Sequence, residues 1–262
     1  AIAEKCKKDG IAREDMEGIG IGIPAPVNED GVVKNTANLG WGYKEVKHEL
    51  EELTGFKVEV GNDANMAALG EMWLGAGRGH KNLVMVTLGT GVGGGIIIDG
   101  RILTGTNGAG GEIGHILANR QETDKCGCGK KGCLEQYASA TGIARLARIR
   151  LAKNNDMTLL RGQEITAKAV FDALKEGDKV AEEIVEEFGA YLGYALADVA
   201  AVIDPSMFII GGGVSKAGPI IIQYVKKYFL EKAFFANEGT EFIIAVLGND
   251  AGICGAAKLI LG

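Results

Sequence analysis

Three cysteines, Cys126, Cys128 and Cys133, fall within eight residues, and His115 stands shortly upstream. Three thiolates and one imidazole are the ligand set of a closed tetrahedral Zn²⁺ site. The glycines interleaved with them let a short loop turn back so that the sulfurs converge. Four protein ligands leave no open position, so the ion would be structural and would not activate water. The alternative is three free thiols in a polar loop, but buried cysteines usually sit singly on apolar elements, which favours the metal. Cys6 and Cys254 are lone and read as space-filling. The ligands bracket Glu112 and Glu135, so a metal would fix both carboxylates. A histidine that ligates through one ring nitrogen keeps the other free to meet a substrate group.

A second candidate is the run Leu88–Gly95, with Gly89, Thr90, Gly91 and Gly93 as its possible phosphate-binding members. It contains G-x-G-x-x-G after an apolar strand, yet a dinucleotide fold needs a helix next. The chain continues instead into Ile96-Ile97-Ile98-Asp99-Gly100, β-branched residues and then a hairpin signal. A glycine turn between two strands still offers backbone N–H groups to an anion, with the Thr90 hydroxyl alongside. The competing reading is a plain hairpin turn, which needs fewer glycines than are present. Gly211, Gly212 and Gly213 also follow a strand; they fit close approach to a nucleotide and a tight strand-to-helix turn equally well.

Asn62 and Asp63 stand where a strand gives way to a helix, the end of an α/β sheet at which ligands bind. A lone Asp there more often caps the helix. Glu112, His115 and Glu135 shift that balance, because sugar hydroxyls need several fixed acceptors and phosphoryl transfer to a hydroxyl needs an Asp to take its proton. Asp63 is therefore the candidate base, with Asn62 orienting the substrate. Trp41 reads equally as packing or ligand contact, and His48 and His80 as solvated surface.

The elements that must position these residues alternate. Strands are predicted over 17–23, 32–33, 57–60, 83–88, 95–99, 101–103, 207–210 and 242–247. Helices are predicted over 1–8, 43–53, 64–74, 141–153, 166–175, 178–203, 218–233 and from 251 onward. This pattern means an α/β fold with a largely parallel sheet. No internal repeat or linker divides the chain, so a lobe boundary would be a hinge near Gly75–Gly79. The expected division is a small lobe over 1–78, with the 250–262 helix packing back on it, and a large lobe over 79–249 carrying the zinc loop.

The 262 residues carry a net charge of −6, with 47% hydrophobic and 24% charged residues. That balance fits a soluble globular protein without the basic stripe that nucleic acid requires. No apolar run reaches membrane-spanning length, and clustered thiols suit a reducing compartment, so the protein is read as cytoplasmic. The chain opens at Ala1 inside an apparent helix, which suggests that a preceding segment is missing.

Together these residues resemble the ROK family of bacterial sugar kinases and sugar-responsive repressors. The motifs are Val86–Gly95, Gly110-Gly111-Glu112-Ile113-Gly114-His115, Cys126–Glu135, Asn62-Asp63-Ala64-Asn65 and Gly211–Gly213. Ala67–Glu71 and Ser139–Gly142 are similar to its glucokinase branch. The resemblance implies a two-lobed actin-like ATPase (ribonuclease H-like) fold, ATP and Mg²⁺ as co-substrates, a hexose substrate and a homodimer. It also implies sugar contacts from Asn38, Asn62, Asp63, Glu112, His115 and Glu135, with Asp63 as base. Two departures stand out. The family's N-terminal Asp-x-Gly-Gly-Thr hairpin is absent, leaving the small lobe incomplete, and Ala25 replaces Gly in Pro24-Ala25-Pro26. The alternatives are a sugar-sensing transcriptional regulator of the same family and a sugar-binding protein without turnover.

Overall fold

The computed structural model describes residues 2–34, 36 and 39–262, so the predicted sugar contact Asn38 lies outside the described residues. After helix α1 (Ile2–Asp9), strand β1 (Ile19–Ile23) pairs in parallel with β4 (Val58–Asn62), Ile23 lying opposite Asn62. Between them run β2 (Val32–Val33), β3 (Lys44–Glu45) and helix α2 (Val46–Thr54). The spacing had suggested helix from Tyr43, but Lys44 and Glu45 pair antiparallel with Val33 and Val32. A ladder to a distant strand overrides the local helical pattern.

Helix α3 (Asp63–Leu74) follows β4 without a loop and leads to a five-stranded sheet. Its strands are β5 (Leu83–Leu88), β6 (Val92–Ile98), β7 (Arg101–Ile102), β8 (Met207–Gly211) and β9 (Glu241–Ile244), in the order β7-β6-β5-β8-β9. The β5–β8 and β8–β9 ladders are parallel, whereas β6, the one reversed strand, pairs antiparallel with both β5 and β7. The sheet is thus mixed, not largely parallel, because the turns at 89–91 and 99–100 are too short for a crossover. Asp99 and Gly100 both take positive φ, 51° and 78°, the backbone of the hairpin that their types predict.

Strand β6 begins at Val92, three residues before the predicted run. Its glycines are packing positions: a Cβ on Gly95 would lie 2.6 Å from the Ala64 carbonyl oxygen and from the Ala68 Cβ. On β5, Val84, Val86 and Leu88 face one core, shared with Phe208 and Ile210 of β8. Leu83 and Met85 face the other with Met207 and Ile209. This two-sided burial is the period-2 alternation of a central strand. The first face is covered by α5 (Ala140–Lys153), α6 (Ala167–Lys175), α7 (Lys179–Ile203) and α8 (Ile220–Lys232). Phe171, Phe188, Phe208 and Phe229 are fully buried there.

The opposite face carries α3, and the closing helix α9 (Asp250–Leu261) packs across it. A Cβ on Gly70 would fall 2.0 Å from the Ala251 oxygen, and one on Gly255 would fall 1.7 Å from the Met66 oxygen. Glycine at both positions lets the two helices cross backbone to backbone, which fixes α3 and the residues at its N-terminus. Trp41 is partly buried against Ile23, Val33 and Val58, a packing role.

Candidate active site

Asn62 closes β4 and caps α3. Its Oδ1 accepts from the Ala64 and Asn65 N–H groups at 2.9 and 3.2 Å, while its Nδ2 donates to the Ala25 carbonyl at 3.2 Å. The β1–β4 register brings Ala25 to this point, so the substituted residue contributes through its backbone. Asp63 is released from capping, and its carboxylate accepts the Ala64 N–H at 2.8 Å and also meets its own backbone N–H. Burial pushes its carboxyl above the ordinary range, against the lowering effect of those N–H groups.

Glu112 precedes a short 3₁₀ turn at Ile113–His115, and Glu135 opens α4 (Glu135–Ala138). His115 stands between them, its Nε2 3.8 Å from Glu112 Oε2 and its Nδ1 3.8 Å from Glu135 Oε1. Burial raises the Glu112 carboxyl; His115 opposes the rise, and the carboxylates of Asp63 and Glu135 add to it. Four predicted residues from three separate stretches therefore act on one another.

The donor atoms of His115, Cys126, Cys128 and Cys133 all lie within 4.8 Å of one another. Cys126 Sγ is 3.8 Å from His115 Nδ1, and Cys128 Sγ is 3.6 Å from Cys133 Sγ. Zinc–sulfur bonds of about 2.3 Å in a tetrahedron require ligand separations of roughly 3.5–3.8 Å, so the set fits the ion. Nδ1 faces the sulfurs, which leaves Nε2 toward Glu112. Burial raises the Cys126 and Cys133 thiols, with Glu135 accepting from Cys126 at 2.7 Å, whereas the Lys130 N–H lowers Cys128.

The glycine turn after β5 lies against the same acids. A Cβ on Gly91 would stand 2.6 Å from Glu135 Oε2, so glycine is needed for the carboxylate to sit there. The Gly89 carbonyl accepts from Ala140 N–H at 2.8 Å, and the Thr90 carbonyl accepts from the Thr141 hydroxyl at 2.7 Å. Gly93 is inside β6 opposite Thr87, its missing side chain replaced by the Thr87 hydroxyl at 2.5 Å. Gly211 ends β8 opposite Thr87 of β5, and Gly212 (φ 81°) presses on the Leu88 backbone. Gly213 opens a 3₁₀ turn. The two glycine turns thus stand side by side at the carboxyl ends of neighbouring parallel strands, where α/β sheets hold ligands.

Several supporting residues escaped sequence reasoning. Glu122 accepts from the Tyr137 hydroxyl and from Arg145 Nη2 at 2.7 Å; Arg145 also reaches Asp124 at 3.0 Å. Burial alone would raise the Glu122 carboxyl, but these donors and the Asp124 N–H hold it at about 2. Gln136 accepts from Cys133 N–H and donates to the Asp124 carbonyl, both at 3.1 Å. The network pins both ends of the cysteine loop, and no local motif announces it.

The β1–β4 sheet and the five-stranded sheet joined through crossing helices, with Asp63 and the glycine turns at strand ends, define a two-lobed actin-like ATPase fold, as in solved sugar kinases of similar structure. The chain belongs to the ROK family, whose model matches residues 1–262. It is 46% identical over 255 residues to a glucokinase of Halalkalibacterium halodurans, covering 95% of this chain and 77% of the relative. The solved ROK family glucokinase of Streptomyces griseus, in complex with glucose and AMPPNP, is 37% identical with a TM-score of 0.81, covering 98% of this chain and 86% of that one. A ROK family transcriptional regulator, a homolog of the E. coli MLC protein, is 29% identical with a TM-score of 0.88, covering 99% and 66% respectively.

Proposed function

We propose that the protein is a glucokinase, transferring the terminal phosphoryl group of ATP to the 6-hydroxyl of glucose. The observation that carries this is the convergence of Asp63, Glu112, His115 and Glu135 beside the Gly89–Gly91 turn. Glu112, Glu135, the free nitrogen of His115 and the Asn62 amide supply partners for adjacent hydroxyls, and the family resemblance adds Asn38 as a further sugar contact.

Asp63 acts as general base. Its desolvated carboxyl holds a proton more strongly than an exposed one, which suits it to take the hydroxyl proton as the oxygen attacks. Glu112 and Glu135 orient the sugar so that this oxygen faces the glycine turns. The Gly89–Gly93 segment and the Gly211–Gly213 turn hold the nucleotide, the first through its phosphates. Mg²⁺ accompanying ATP neutralises charge on the phosphates. Zinc on His115, Cys126, Cys128 and Cys133 has a structural role, holding His115 and Glu135 at their separation.

The glucokinase relatives, 37–46% identical, favour this reading over the regulator alternative, whose solved representative is 29% identical. We place the lobe division at 78/79 and 249/250, and the protein in the cytoplasm as a homodimer. Half-exposed Leu117 and Tyr194 line one groove with Glu231 and Lys232, a surface suited to a second copy. Hexose-dependent ATP consumption, measured across several hexoses, tests the assignment; no consumption with any of them would remove it.

A further inference from the structure

Glu71, near the end of α3, is 0% exposed. Its carboxylate meets no cation among the described residues. Oε2 accepts the Ala76 N–H and Oε1 accepts the Leu247 N–H, each at 2.8 Å. Its main-chain carbonyl also accepts from Gly75 and Gly77, at 3.0 and 2.9 Å. A Cβ on Gly75 would lie 2.1 Å from Oε2, so the turn is shaped around the carboxylate.

Those two side-chain bonds have particular addresses. Ala76 lies on the segment that carries the chain from α3 to β5, out of the part containing the small β1–β4 sheet. Leu247 lies on the segment between β9 and α9, where the chain returns. The chain passes between the β1–β4 sheet and the five-stranded sheet along these segments, and one buried side chain ties them together. They are far apart in sequence and pair with each other through no strand.

We propose that Glu71 is a positioning residue that clasps the two lobe crossings into one hinge, so that the lobes close as rigid bodies around the bound hexose. The inference rests on the glucokinase reading and deepens it. Both crossings must turn together for Asp63 on α3 to meet the glycine turns and the acids of the zinc loop. Without the clasp each crossing moves separately, and closure no longer fixes one geometry. Glu71 touches neither ligand, so its loss acts on the closed, reacting arrangement more than on hexose capture.

The first test uses the unaltered protein. Amide hydrogen exchange is followed at Ala76 and Leu247, with and without glucose. The clasp requires both amides to be protected and to change together when glucose binds; unrelated exchange at the two sites overturns it. The second test compares Glu71→Gln, which keeps shape but replaces one acceptor by a donor, with Gly75→Ala, which crowds the same oxygen. In whichever variant folds, kcat falls about ten-fold while KM for glucose moves much less, and glucose-induced compaction in small-angle X-ray scattering shrinks. Wild-type kcat and compaction in a folded variant would overturn the clasp. Absence of hexose-dependent ATP consumption in the unaltered protein would instead sink the glucokinase reading.

Discussion

Asn62 and Asp63 are neighbours in the chain with divided duties: Asn62 caps α3 through the Ala64 and Asn65 N–H groups, and Asp63 keeps a carboxylate for chemistry. The division follows from position. Asn62 ends β4 with extended backbone (φ −68°, ψ 147°), the conformation from which a side chain reaches the second and third amides of a helix. Asp63 is already helical, and only neighbouring backbone N–H groups, those of Ala64 and Asp63 itself, hold its carboxylate.

Substitution should separate the two duties. Asp63→Ala lowers turnover by about 10²–10⁴-fold with glucose binding retained. Asn62→Ala loses the cap, costing about 0.5–2 kcal/mol of stability, and weakens sugar binding as well. Steady-state kinetics beside glucose titration calorimetry distinguish them. Retained turnover in Asp63→Ala would remove that residue as base.

The raised Asp63 carboxyl also predicts a dependence on pH. A folded pKa above the unfolded one means that the protonated form is favoured by folding; this stability is present below about pH 4 and is lost as pH rises through the folded value. At neutral pH the ionised group therefore costs stability. Asp63→Asn should melt higher than the parent at pH 7, with the gain fading as pH falls through the raised folded value and gone below about pH 4. The acid limb of kcat/KM should lie above the ordinary carboxylate range. A melting temperature that falls at pH 7 would contradict the burial argument.

How much of this was readable from sequence depends on how local each cause is. The cysteine cluster, the Asp99-Gly100 hairpin and the helices from α5 to α9 were legible because residue type and spacing set them. The Tyr43–Glu45 segment was misread because its strand partner is remote. Gly93 reads as part of the phosphate-binding turn; that it also lies inside β6, where a Cβ would meet the Thr87 hydroxyl and the Ala64 Cβ, depends on partners brought in by α3 and β5. Glu122 with Arg145, and Glu71 with Leu247, join residues distant in the chain, and nothing nearby marks them. The proposed acids stand out in sequence because they interrupt glycine-rich loops, whereas the scaffold beneath them does not.

Zinc should be both present and necessary for the arrangement of His115 and Glu135. Elemental analysis is expected to find about one zinc per chain, as four protein ligands require. Stripping it with a chelator should lower the melting temperature and kcat together, and added zinc should restore both. Cys128→Ser, which changes the exposed ligand, should weaken metal retention at little cost to the core. Full activity in protein with no bound zinc would detach the loop from the site.

Glu122 shows the opposite linkage to Asp63. Its carboxyl is held at about 2 against an ordinary value of 4.5. Its contribution is complete above about pH 4.5 and disappears as pH falls toward 2. Glu122→Gln should cost about 1.5–3 kcal/mol at pH 7, the loss expected for a charged hydrogen-bond acceptor. The difference from the parent should close near pH 2 in denaturant titrations. An equal difference at both pH values would assign the effect to packing.

Gly91→Ala offers the sharpest test of the join between the glycine turn and the sugar acids. The new methyl would stand 2.6 Å from Glu135 Oε2, so either the turn or the carboxylate must move. The turn is tied to α5 by Ala140 N–H and the Thr141 hydroxyl, so the carboxylate is the part that yields. Displacing it disturbs a sugar contact and the neighbour of a zinc ligand at once. KM for glucose should therefore rise more than KM for ATP, with a loss of about ten-fold or more in kcat/KM for glucose. Were the turn to yield instead, KM for ATP would rise first, and the order of the two effects identifies which element is held more firmly.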